Sequence, residues 1–210
     1  MNRSTIVLLK TLVWLACLWP LAWLVWGAIR SSSDPNALGP NPTSTIAFTT
    51  GFATLRLLII TLAISPIRRI WPRLAWLVRF RRLLGLFAFF YATLHMLTYV
   101  ALYSGFNVTN MLNDVAKRHF ITAGAAAYLL LIPLAVTSTR WAIRKLGGKR
   151  WNRLHMLIYP AAILGVIHFW WQLKPGVLTP LRITIILTVV LAARPVLAWL
   201  KRRKTRPVAV

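Results

Sequence analysis

Acidic residues are almost missing from this chain. Of its 210 residues only Asp34 and Asp114 are acidic, against 26 lysines and arginines. Neither acid lies within an apolar stretch. That leaves the buried histidines without a carboxylate partner and argues against a proton relay, since intramembrane relays are usually chains of acids and histidines. Cysteine is equally scarce: Cys17 stands alone, so the chain has no intrachain disulfide and no C-x-x-C metal or redox site, and this residue reads as a small apolar one. There is no G-x-G-x-x-G and no phosphate loop, so no nucleotide module is visible and nicotinamide oxidation must lie in another protein. No internal repeat and no low-complexity segment stands out. The longest polar connection on the weakly charged side, 104–120, is too short to be an enzyme in its own right.

What fills the chain instead is apolar. It is 58% hydrophobic, with a mean hydropathy of +0.65, and a soluble domain of this size would carry far more charge. Six runs, 5–29, 44–66, 83–103, 121–139, 151–171 and 177–200, approach the roughly 20 residues that cross a hydrocarbon core. The expected fold class is an all-α polytopic membrane protein, with residues 1–210 forming a single transmembrane domain. Arg56 interrupts the second run. The first run is too long for a cleaved signal segment and no A-x-A-like site follows it, so it is expected to remain as a span. Pro20, Pro133, Pro160 and Pro195 fall inside runs, where membrane helices tolerate them as kinks.

A net charge of +24 invites a nucleic-acid partner. The basic residues, however, sit in short clusters between the runs, where they act as topology signals facing anionic lipid. One side takes Arg3, Lys10, Arg68, Arg69, Arg73, Arg79, Arg81, Arg82, Arg140, Arg144, Lys145, Lys149, Arg150, Arg153, Arg194 and the tail from Lys201 to Arg206. The other takes only Arg30, Lys117, Arg118, Lys174 and Arg182. Positive-inside bias places both termini in the cytoplasm, as six crossings require. Without a targeting peptide, this pattern fits a bacterial inner membrane. Tryptophans such as Trp26, Trp71, Trp151, Trp170 and Trp171 sit toward run ends and read as an interfacial belt.

Three histidines lie inside the runs: His95, His155 and His168. An ionisable group in a bilayer is a functional-site hypothesis by default, and imidazole is a common ligand of haem iron. His95 lies thirteen residues after Arg82, roughly 20 Å from the inner face. His155 is near that face and His168 lies about 20 Å further out. His95 and His168 thus share a level, and two facing neutral imidazoles suit a b-type haem. The alternative is a hydrogen bond from each to a neighbouring helix. His155 has no histidine at its depth on the third run. Thirteen residues also place it roughly 140° around a straight helix from His168, although Pro160 lies between. It could ligate a second haem, bond a cofactor or contact a flavin. His119 sits in an outer loop and reads as solvated. Arg56 either snorkels to headgroups or pairs with haem propionates. Arg81 and Arg82 belong to the inner charge cluster or face a flavin phosphate or propionate.

The stretch RRLLGLFAFFYATLHMLTYV (81–100), together with TST (137–139) and LGGKRWNRLHMLIYPAAILGVIHFWW (146–171), resembles the MsrQ/YedZ family of ferric-reductase-like membrane proteins. The likeness implies a six-helix bundle of ferric-reductase-like type. It implies haem b, one or two per chain, with His95 and His168 as outer ligands and His155 as the third family histidine, and it implies FMN. The implied role is electron transfer from membrane quinol, or from a flavin reductase, to a periplasmic molybdopterin-containing methionine-sulfoxide reductase subunit (MsrP-like). The chain would be an electron-transfer subunit rather than a complete enzyme. A stand-alone ferric or quinone reductase and a transporter with histidine relays remain as alternatives.

Overall fold

The computed structural model describes residues 2–173 and 176–204, without the side chains of Arg3 and Lys204. Lys174 and Arg206, both sorted by charge above, lie outside the described residues. Helix α1 is Arg3–Arg30 and α2 is Pro42–Ile70. A 3₁₀ segment, Pro72–Phe80, leads into α3, Arg81–Thr98, which ends in a wide turn at Tyr99–Tyr103. Helix α4 is Val108–Lys117 and α5 is His119–Val136. Two short helices, α6 (Arg140–Leu146) and α7 (Gly148–Leu154), precede a 3₁₀ turn at His155–Leu157. Helix α8 is Ile158–Gln172 and α9 is Thr179–Lys204. Six of these segments are long and apolar enough to span a membrane: Ser4–Arg30, Pro42–Ile70, Pro72–Tyr103, His119–Val136, Gly148–Gln172 and Thr179–Arg203. The six expected crossings are therefore present. The second runs past both of its expected ends, and the fourth stops at Val136 rather than 139.

Local chemistry accounts for the boundaries. Asn41 caps α2 by accepting the Ser44 N–H at 3.0 Å, with Pro42 in the first turn, where its missing N–H costs nothing. Asn107 caps α4 and Thr139 caps α6 in the same way, each leaving one fewer orphan donor. Pro160 cannot donate to Met156, and its ring crowds that carbonyl. The helix accordingly tightens into the 3₁₀ turn at His155–Leu157 just before it.

Lipid gives helices no hydrophobic reason to associate, so small residues must let them pack closely. Ala88, Ala161 and Ala162 are essentially inaccessible. Around them Leu58, Leu84, Phe87, Tyr91 and Leu131 form one cluster, and Leu62, Val166, Phe169, Ile183 and Leu187 a second. Large apolar residues on α1 and α9, among them Val7, Leu8, Trp19, Ile185 and Val189, face outward, as a lipid-facing surface requires. Tyr91 ties α3 to α1. Its hydroxyl donates to the Cys17 carbonyl at 2.6 Å and accepts the Leu21 N–H at 3.2 Å, inserting into the α1 ladder beside Pro20. At the end away from the basic clusters, Asp114 accepts from Tyr99 at 2.9 Å and pairs with Arg118 at 3.1 Å.

Candidate functional site

Helices α2 and α3 form one antiparallel hairpin, and α5 and α8 form another. Each hairpin contributes one histidine near the end away from the basic clusters. His95 comes from α3 and His168 from α8, and their ring centroids lie 5.8 Å apart with planes at 81°. Each ring is held from behind by the other helix of its hairpin. Nδ1 of His95 lies 2.9 Å from the Ala47 carbonyl, and Nδ1 of His168 lies 2.6 Å from the Phe120 carbonyl. A carbonyl only accepts, so Nδ1 carries the proton in both rings. That leaves each Nε2 with a free lone pair, the form in which neutral imidazole binds a metal.

One helical turn beyond each acceptor carbonyl stands a glycine. A Cβ on Gly51 would lie 3.0 Å from Cε1 of His95, and one on Gly124 would lie 2.7 Å from Nδ1 of His168. Only glycine lets these rings approach the neighbouring backbone closely enough to bond it. The two half-sites match in sequence as well. Thr49-x-Gly51-x-Ala53 recurs as Thr122-x-Gly124-x-Ala126, Leu57-Leu58-Ile59 as Leu130-Leu131-Ile132, and the single residues Ala88 and His95 as Ala161 and His168. Every pair is 73 residues apart. The expectation that the chain holds no internal repeat is thereby corrected; the repeat escapes inspection because most matched positions are common apolar residues.

The arrangement fits a shared metal. Metal–imidazole distances of about 2.0–2.1 Å place the centres of two ligating rings roughly 6 Å apart, close to the separation observed. Among the described residues there is no group of three or more His, Cys, Asp or Glu side chains able to hold a metal ion by themselves. Two neighbouring imidazoles backed by carbonyls would suit a metal whose other positions come from a planar macrocycle.

Residues 50–166 match the model of the family described as ferric reductase like transmembrane component. That segment includes His95 and His155 and stops two residues short of His168. The chain is 44% identical over 206 residues to a protein of Herminiimonas arsenicoxydans, covering 97% of this chain and 92% of that one. It is 45% identical over 210 residues to a protein of Xanthomonas oryzae pv. oryzae (strain MAFF 311018), covering 98% and 93%. It is 44% identical over 219 residues to one of Xanthomonas axonopodis pv. citri, covering 99% and 97%. Each relative is named the heme-binding subunit MsrQ of protein-methionine-sulfoxide reductase. The chain belongs to the MsrQ family. That family sits within the ferric-reductase-like transmembrane group, and the six-helix all-α architecture agrees with it.

The other sequence-selected residues are not gathered at this pair. His155 stacks on Trp151, with centroids 3.8 Å apart; its Nδ1 lies 3.1 Å from the Trp151 carbonyl, and the Leu134 backbone is also within reach of the ring. Its counterpart in the 73-residue repeat is Arg82, which is exposed, so no second imidazole opposes it. Arg56 is exposed and lies over the Phe52 ring at 4.1 Å. It is five residues past Gly51, about 140° around the helix from the face that meets His95. His119 is exposed near Trp171, with centroids 6.2 Å apart. Arg81 is half-buried and lies within electrostatic reach of Arg194, Tyr159 and Arg68. Sequence reasoning missed Gly51, Gly124 and the carbonyls of Ala47 and Phe120. The repeat was the one signal that could have found the two glycines.

Proposed function

We propose that this chain is a haem-binding, electron-carrying membrane subunit serving a methionine-sulfoxide reductase, with a b-type haem between His95 and His168. The observation that carries this reading is the facing imidazole pair, each ring committed through Nδ1 to a backbone carbonyl. The names of relatives at 44–45% identity support the cofactor and the reductase it serves. Bound there, the haem supplies a one-electron centre with no open ligand position.

The chain's own part is positional. His95 and His168 offer Nε2 from opposite hairpins. The Ala47 and Phe120 carbonyls fix ring orientation and raise ligand basicity. Gly51 and Gly124 keep the space that this bonding needs, and the surrounding apolar helices keep water and ions from the pair. With no imidazole opposite His155, this reading takes one haem per chain. Arg56 and Arg82, both exposed, are assigned to headgroups.

In this reading residues 1–210 act as one transmembrane domain in a bacterial inner membrane, with both termini and the basic loops in the cytoplasm. Electrons arrive from membrane quinol or a flavin reductase, with FMN on the donor side. They leave at the Asp114 end to a periplasmic, MsrP-like molybdopterin subunit. The test is direct. Protein purified in mild detergent should show a Soret band and a sharp reduced α-band, carry releasable flavin, and be reoxidised on mixing with the purified catalytic subunit. A colourless, folded protein would overturn the haem assignment. Fast reoxidation by ferric chelates with none by the catalytic subunit would favour a stand-alone reductase.

A further inference from the structure

Helix α4, Val108–Lys117, lies at the same end of the bundle as the histidine pair but takes no part in it. None of its residues is buried. Val108, Met111, Leu112, Val115 and Ala116 recur at the spacing that lines one face of a helix. Asn110, Asn113 and Lys117 fall on the opposite face. Met111 and Asp114 are the members of α4 that are partly covered, and Asp114 accepts from Tyr99 of the third span at 2.9 Å. At about 100° per residue, these two mark a flank roughly a quarter-turn from the centre of either face. The helix therefore lies on its side against the bundle, with one exposed face apolar and the opposite exposed face polar.

The turn that leads into α4 is strained. Gly105 and Phe106 are consecutive left-handed residues, at φ 57° and 60°. Glycine accepts that conformation, whereas a bulky L-residue is an outlier there. Hydrogen bonds impose it: the Phe106 N–H donates to the Val100 carbonyl at 2.9 Å, and the buried Ser104 hydroxyl donates to the Asn107 carbonyl at 3.0 Å. The result is a Phe106 side chain 69% exposed, followed by Val108 at 64% and Leu112 at 66%. A backbone outlier that displays a large apolar group points to a function for that group. The level of α4 is marked at both of its ends. Before it, Leu102 and Tyr103 close the third span and are exposed. After it, His119 lies beside Trp171, with centroids 6.2 Å apart, and Trp171 is exposed at the end of the fifth span. Tyrosine and tryptophan at span ends mark the headgroup level of a bilayer. The lipid-facing surface of the third span thus leads through Phe106 to the apolar face of α4.

We propose that α4 is an interfacial helix, with Phe106, Val108, Leu112 and Val115 inserted into the lipid surface at the histidine-pair end of the bundle. Asn110, Asn113 and Lys117 stay in water. Lipid is the occupant because the surroundings of α4 are set a quarter-turn apart: the bundle takes one flank, and the apolar face continues a surface that spans the membrane. A helix of this kind sinks its apolar face about 5–10 Å into the boundary between headgroups and acyl chains. The inserted face carries no charge, so a zwitterionic lipid suffices. Insertion of Phe106 offsets the cost of its left-handed backbone. It also fixes where α5 begins, and the Phe120 carbonyl that holds His168 lies three residues beyond α4.

The experiment uses the full chain as purified, one copy per phosphatidylcholine nanodisc, with Cys17→Ala to leave a single labelling position. Phe106→Cys, Leu112→Cys and Asn110→Cys each carry a bimane fluorophore. All three positions are exposed, so the substitutions leave the packing intact. Two readouts are taken: the fraction of fluorescence quenched by phosphatidylcholine bearing a nitroxide on its acyl chain, and, for the unlabelled thiols, the rate of reaction with a water-soluble maleimide. Positions 106 and 112 should be quenched several times more strongly than 110, and their thiols should react several times more slowly. Equal quenching at 106, 112 and 110 overturns the proposal, as does fast maleimide reaction at 112. The purified catalytic subunit is then added. Shielding of 112 that appears only with that protein, and not in the discs alone, makes the face a protein dock and also overturns the lipid assignment. Single-copy discs remove a second chain as a source of shielding. Neither readout involves the histidine pair, so a colourless protein still tests α4.

Discussion

Replacing Gly124 by alanine adds one methyl group, and the structure says where it would land. Its Cβ would sit 2.7 Å from Nδ1 of His168, about 0.8 Å inside ordinary non-bonded contact. The Nδ1 bond to the Phe120 carbonyl, at 2.6 Å, holds the ring against the same backbone. The ring must therefore swing away, and the bond is lost. Losing such an outer partner typically costs 10–100-fold in metal affinity, roughly 1.4–2.8 kcal/mol. The same change should help the helix itself, because alanine is favoured over glycine by about 0.8–1.0 kcal/mol. The two effects have opposite signs, which makes the experiment informative. Gly124→Ala should lower the haem-to-chain ratio measured by pyridine haemochrome and broaden the reduced α-band, while the haem-free protein loses less thermal stability than the haem-loaded one, because helix propensity offsets part of the lost bond. Gly51→Ala should behave alike but more mildly, since its Cβ would stop 3.0 Å from His95 Cε1. Full haem occupancy with an unchanged spectrum in Gly124→Ala would refute the cradle argument. So would greater damage from Gly51→Ala than from Gly124→Ala.

Three further outcomes are expected. His95→Ala and His168→Ala should each abolish the bis-imidazole spectrum, and the double variant should be no worse than either alone, because one metal needs both rings; optical spectra of the three proteins check this. His155→Phe keeps an aromatic ring against Trp151 and should retain the wild-type haem-to-chain ratio; a fall to half would mean a second haem. Tyr91→Phe removes the hydroxyl that bridges Cys17 and Leu21 of α1. It should destabilise the fold by about 0.6–1.7 kcal/mol, the span found for interhelical bonds in membranes, without shifting the haem spectrum; denaturant titration in detergent measures it.

How much of this was legible beforehand varies from residue to residue. The six crossings followed from run length and from the alternation of basic clusters, because a bilayer imposes both. Pairing His95 with His168 needed only helix rise, which converts residue number to depth. Depth alone makes Arg56 a candidate partner of the site. Azimuth sets it apart, for it stands on the far side of α2 from His95. The thirteen-residue interval between His155 and His168 raised a question of phase. The backbone tightens at His155–Leu157, the turn that Pro160 forces, and His155 ends on Trp151 rather than against another histidine.

By itself the sequence determined that this protein lives in a membrane, how many times it crosses, which ends share a side and at what level its two key imidazoles lie. Those are properties of one-dimensional spacing measured against a slab of fixed thickness. The tertiary structure alone decided which way the rings face, which carbonyls set their tautomers and why glycine stands at 51 and 124. It also turned the apolar face of α4 away from the bundle. Direction around a helix axis depends on how neighbouring helices pack, and for short-range packing between apolar surfaces no periodicity in the chain records the answer.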